Sequence, residues 1–126
     1  MASGRDTLPV GTVIDHYRIT RALSKGGFSL IYLAVEEETG DEVVIKEYIP
    51  KKLARRDASL RLVPVDDKQA ERVFRGRKLF FHEAKALASL QHPNIVRVLS
   101  FFLANNTAYL VMQYERGKNL GSYVHE

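Results

Sequence analysis

One stretch of helical periodicity constrains this chain more than any other feature. Across residues 67–90 the apolar side chains Val73, Phe74, Phe80, Phe81, Ala84, Leu87 and Ala88 recur at roughly the spacing of a single helix face. Asp66 or Asp67 stands ready as N-cap, Pro93 closes the segment, and Gly76 is expected to kink or split it. The remaining apolar residues come in short runs between turn signals. Residues 17–23, 30–35 and 42–48 precede the helix as a three-stranded meander, with Gly26-Gly27 and Thr39-Gly40-Asp41 at its turns. Residues 95–103 and 107–114 follow it as a hairpin around Ala104-Asn105-Asn106. The pattern predicts an α+β fold: a five-stranded antiparallel sheet packed by one long helix.

A chain of 126 residues, 45% hydrophobic and 27% charged, has room for one domain with a modest core. It contains no cysteine, which removes disulfides and thiolate metal sites from consideration. No apolar run approaches the roughly 20 residues of a membrane helix, and the first residues lack a signal-like apolar core. A soluble, cytoplasmic chain is the expectation. The net charge of +4 is concentrated between Lys51 and Lys78, among Arg55, Arg56, Arg61, Lys68, Arg72, Arg75 and Arg77. Such a run reads as a solvated surface; no stacking aromatics interleave with it, so no nucleic acid partner is expected. His16, His82, His92 and His125 are too scattered to suggest a metal site, and Ser59 reads as a solvated loop serine.

Three polar placements carry possible chemistry. The stretch LSKGGFSLIY, residues 23–32, is either a hairpin turn or a loop that brings backbone amides close to phosphates. Lys46 sits inside the apolar run Val43-Val44-Ile45, sharing a strand face with Val44; its head is either in water or set against an anion. Glu83, beside Phe80, Ala84 and Leu87, is either on the solvated flank of the helix or reaching across to a cation.

Taken in order, these stretches resemble the N-terminal, small lobe of a protein kinase, over nearly the whole chain. The family's glycine-rich loop aligns with Leu23-Ser24-Lys25-Gly26-Gly27-Phe28-Ser29-Leu30-Ile31, its V-A-I-K strand with Val43-Val44-Ile45-Lys46, and its helix glutamate with Glu83. His92-Pro93-Asn94-Ile95-Val96 matches the turn after that helix, and YLVMQYERG matches the last strand and hinge. The wording IKEYIP and the basic segment before the helix look most like bacterial serine/threonine kinases of the eukaryotic type.

The resemblance implies a catalytic pair, in which Lys46 contacts the α- and β-phosphates of ATP and Glu83 holds the lysine. It implies a nucleotide site in which Gly26 and Gly27 let the loop approach the phosphates beside Ser24, Phe28 caps the tip, and Leu23, Ile31 and Val44 sandwich the adenine. Met112 takes the gatekeeper position, and backbone groups of Gln113 and Glu115 pair with the adenine edge. Leu87 and Val98 match the small-lobe members of a hydrophobic stack that continues into the family's large lobe.

Three positions depart from the family pattern. Ser24 and Ser29 replace the first and third glycines of the loop, and Val44 replaces the usual alanine, so nucleotide affinity below that of a typical kinase is expected. The H-R-D and D-F-G motifs that supply the base and the magnesium ligands do not occur before Glu126. The expectation is therefore a fragment of a longer kinase, inactive alone, with Mg2+ held only when the large lobe is present. Its parts would be an N-terminal extension at 1–16, the small lobe at 17–116, and the hinge exit with the start of a truncated helix at 117–126. Its partners would be ATP, protein substrates through the parent, and other copies of itself through surface meant for the missing lobe. The alternative is a pseudokinase-like scaffold or dimerisation module without catalysis.

Overall fold

The structure, a computed structural model, describes residues 6–25, 29–89 and 97–115, with Ser24, Lys25 and Ala88 described by their backbone alone. Among the described residues the main elements follow in the order β1 (Val13–Ile14), β2 (Tyr17–Lys25), β3 (Ser29–Glu36), β4 (Glu42–Tyr48), β5 (Ala54–Arg56), β6 (Leu62–Pro64), α1 (Ala70–Ala88), β7 (Val98–Ala104) and β8 (Thr107–Gln113). Six of the strands form one antiparallel sheet in the order β1-β2-β3-β4-β8-β7, with α1 packed on β7 and β8.

The expected sheet is thus present with one added edge strand. Asp15, at φ 56°, turns the chain between β1 and β2, so that Val13 pairs with Arg18 and Ile14 with Tyr17. The basic segment departs from expectation in part. Lys52, Arg55, Arg61, Lys68, Arg72, Arg75 and Lys78 are exposed, but Ala54–Arg56 and Leu62–Pro64 pair as a separate hairpin whose Ala54 and Leu62 are buried. Apolar alternation is too short there to announce strands, each of three residues.

Gly76 does not break the helix: α1 runs unbroken through it. Asp66 caps the preceding 3-10 turn Asp67–Gln69 by accepting from the Gln69 amide at 3.1 Å. At the other end of the sheet, Asn105 and Asn106 both adopt left-handed φ, of 50° and 60°, and close the β7–β8 hairpin as a two-residue turn. Asparagine tolerates that conformation where most side chains resist it.

Alternation along β4 divides the core in two. Val43 and Ile45 point to an outer face with Leu30, Tyr32, Tyr109 and Val111, and this face is covered by Leu8, Ile14, Ala54 and Leu62. Val44 points to an inner face with Ile31, Leu110 and Met112, which packs on Ala84 of α1. Leu8 and Ile14, which precede Tyr17, are thus buried in this core, Leu8 at only 1% exposure. None of the helices among the described residues is long and apolar enough to cross a membrane.

Candidate functional site

The inner face gathers Lys46, Ile31, Val44 and Met112 among the side chains singled out from the sequence. Lys46 lies on the central strand β4, level with Ile31 of β3 and Leu110 of β8, and is 7% exposed. Two residues earlier on the same face, Val44 is level with Met112. Ile31, Val44 and Met112 are buried together, and Leu23, Leu87, Val98 and Tyr114 pack partly buried against them. A cation thus projects from an apolar floor at one end of a strip of aliphatic side chains.

Ser24 pairs with Ile31 across β2 and β3, and Ser29, 1% exposed, begins β3 opposite Tyr48. Gly26, Gly27 and Phe28 lie outside the described residues, as do the His92-Pro93 turn and everything from Arg116 onward. At the end of β8 the Gln113 amide donates to the Arg97 carbonyl at 2.9 Å, while the Gln113 and Glu115 side chains are exposed.

Glu83, unlike Lys46, is exposed. Phe80, Ala84 and Leu87 turn toward the sheet, which leaves Glu83 on the exposed flank of α1. Among the described residues no ion pair joins it to Lys46. The rotation of a helix about its axis is set by which apolar residues it buries, and here that choice keeps the carboxylate in water.

A polar cluster on the outer face was not anticipated. Glu47, the residue after Lys46, is fully buried and accepts from Arg56 at 2.6 Å, from the Tyr32 hydroxyl at 2.7 Å and from the Tyr109 hydroxyl at 2.5 Å. The Arg56 side chain, 1% exposed, also donates to the carbonyls of Asp6 at 2.8 Å and Leu60 at 3.0 Å. Burial alone would lower the Arg56 pKa, but the adjacent carboxylate outweighs it and the value is raised. Burial, reinforced by Glu47, pushes the phenols of Tyr32 and Tyr109 well above the ordinary tyrosine value. The signal in the sequence was a glutamate inside VVIKEYI, where alternation sends neighbouring charges to opposite faces of a central strand.

The family model of the protein kinase domain matches residues 17–126. Among curated proteins, the chain is 32% identical over 112 residues to the probable serine/threonine-protein kinase pknA2 of Bifidobacterium longum, covering 89% of this chain and 13% of that protein. It is 27% identical over 111 residues to the probable serine/threonine-protein kinase YbdM of Bacillus subtilis, covering 87% of this chain and 36% of that protein. The chain therefore spans about a third or less of these relatives' length. Among solved structures, the apo form of PpkA-294 superposes with a TM-score of 0.86 at 32% identity, covering 91% of this chain and 41% of that one. The Mycobacterium tuberculosis PknI kinase domain shares the fold at a TM-score of 0.58 and 21% identity, with 86% of this chain and 36% of that one covered.

Proposed function

The chain belongs to the protein kinase family, and from that premise we propose that it is the ATP-binding small lobe of a serine/threonine kinase. The observation that carries the reading is Lys46, a cation held at 7% exposure on the same face as Ile31, Val44 and Met112. Leu23, Ile31 and Val44 would enclose the adenine, and backbone groups of Gln113 and Glu115 would pair with its edge. Lys46 would stand against the α- and β-phosphates, where a fixed cation offsets their charge. Gly26, Gly27 and Phe28, with Ser24, would form the cover over them. ATP, with Mg2+ held by a large lobe, supplies the transferable phosphoryl group. Phosphorylation of protein substrates belongs to the longer parent, and the 126 residues alone are inactive in this reading.

Glu83 adds a condition. A lysine held by the helix glutamate is the arrangement competent for transfer, and here α1 would have to turn for Glu83 to reach Lys46. The exposed position of Glu83, with Ser24, Ser29 and Val44, favours a second reading: a pseudokinase-like lobe that binds partners without catalysis. Surface that would face a large lobe also favours self-association of the isolated chain. Light scattering at high concentration checks this, and a monomer throughout would rule it out.

Calorimetric titration of Mg-ATP against the chain and its Lys46→Met variant tests the main reading. Binding weaker than that of a typical kinase, and lost in the variant, is the expected result. Equal binding by both proteins, or none by the unaltered chain, would overturn it.

A further inference from the structure

We infer that Glu47 and Arg56 form a positioning device for Lys46: the buried ion pair on the outer face holds the lysine on the inner face in place, and couples it to the β5–β6 hairpin. This inference rests on the assignment of Lys46 to the phosphates. Lys46 and Glu47 are consecutive residues of a central strand, so whatever fixes the backbone at Glu47 also fixes the origin of the Lys46 side chain. Long, flexible lysine side chains direct a charge only as well as their base is anchored.

The anchoring is dense. The Glu47 carboxylate is gripped from both neighbouring strands, by Tyr32 on β3 and Tyr109 on β8, and from a third direction by Arg56 on β5. Tyr109 is itself held by Asn105 at 2.9 Å, and Tyr32 accepts from the Leu8 amide at 3.1 Å. The next residue is fixed as well: the Tyr48 carbonyl accepts from the buried Thr107 hydroxyl at 2.6 Å. The hairpin in turn is tied to the end of the sheet, where Leu62 donates to the Asn105 carbonyl at 2.8 Å and accepts from the Asn106 side chain at 2.7 Å. Displacing the hairpin would therefore pull on Arg56, then Glu47, then the strand that carries Lys46.

A purely structural role and a positioning role make different predictions. Removing one member of a buried ion pair leaves an uncompensated charge, a cost that neutralising both members together avoids. The double variant Glu47→Gln with Arg56→Met therefore separates the two. Two readouts are taken on the 126-residue chain at a temperature where near-ultraviolet circular dichroism matches the unaltered protein. One is the acylation rate of Lys46 by an amine-reactive ester, relative to exposed Lys78, read by mass spectrometry; the other is Mg-ATP affinity. Positioning predicts that Lys46 acylation rises and ATP affinity falls, each about tenfold, with little change in melting temperature. Lys46 acylation within about twofold of the unaltered chain would overturn it. Should the double variant lose its native spectrum, Tyr109→Phe removes a single oxygen from the grip on Glu47, and the same ratio decides. An unaltered chain that binds no ATP overturns the nucleotide reading alone, because the acylation ratio still tests the coupling of Glu47 and Arg56 to Lys46.

Discussion

The phenol of Tyr48, at the end of β4, fills the notch left by Gly76 in the middle of α1. A methyl group at Gly76 would overlap the Tyr48 hydroxyl and come within 2.9 Å of its ring carbon Cζ. Tyr48 is 5% exposed and packs against Phe80 at a ring separation of 5.7 Å, so it has little room to withdraw. In an ordinary helix, glycine to alanine is worth about 1 kcal/mol of added stability. Here Gly76→Ala is expected to destabilise by about 1–3 kcal/mol through overpacking. A denaturant melt measures it, and in a Tyr48→Leu background the same substitution should become neutral or stabilising. Destabilisation of equal size in both backgrounds would show that Tyr48 is not the cause.

Leu8 tests whether the first residues belong to the cooperative unit. It is 1% exposed in the outer core, and its amide donates to the Tyr32 hydroxyl. Leu8→Ala should cost about 2–4 kcal/mol in the same melt. A loss below about 0.5 kcal/mol would mark the segment as a detachable strap, since that is the range of an exposed position.

Alkaline conditions should unfold the chain through two phenols. Tyr32 and Tyr109 are fully buried with raised pKa values, burial first and the Glu47 charge second. Below the ordinary tyrosine value of 10.0 both states keep these protons, so the native stability is fully present. Above it the unfolded chain ionises while the folded chain does not, and stability falls by roughly 1.4 kcal/mol per pH unit for each group. Tyrosinate absorbance should therefore rise together with loss of circular dichroism; tyrosine titration completed in a folded chain would contradict this.

Thr107 offers a smaller test with a built-in control. Its hydroxyl, 1% exposed, bonds the Tyr48 carbonyl just beyond the last paired residues of β4 and β8, Glu47 and Tyr109. Thr107→Val keeps the shape, loses the donor and leaves a buried acceptor, with an expected loss of about 1–3 kcal/mol. Thr107→Ser should recover most of it. Equal losses in both variants would assign the effect to the methyl group.

The elements legible in the sequence were those whose signal is local. Period-2 runs, the Asn105-Asn106 turn and the apolar face of α1 each lie within a single element or turn, and Lys46 was legible because a charge interrupts an apolar run. The buried role of Arg56 was not, because an arginine among arginines reads as solvated until Glu47, nine residues earlier, is brought beside it. The exposure of Glu83 was equally hidden: a change of helix rotation too small to disturb the apolar pattern decides whether it faces Lys46 or water. Gly76 read as a break because its partner, Tyr48, becomes a neighbour only when strand and helix pack.

The Asn105-Asn106 turn has a consequence for anyone who wishes to attach something to this lobe. Hairpin tips are the customary place for an inserted tag or fluorophore, yet this one is occupied. Asn106 accepts from Arg77 of α1, its side-chain amide donates to Leu62 of β6, and Asn105 bonds both Leu62 and Tyr109. Lengthening it would sever helix, hairpin and sheet together. The β3–β4 turn, where Glu38, Thr39 and Gly40 are exposed and, among the described residues, bond within the turn, is the graft site that leaves Lys46 undisturbed.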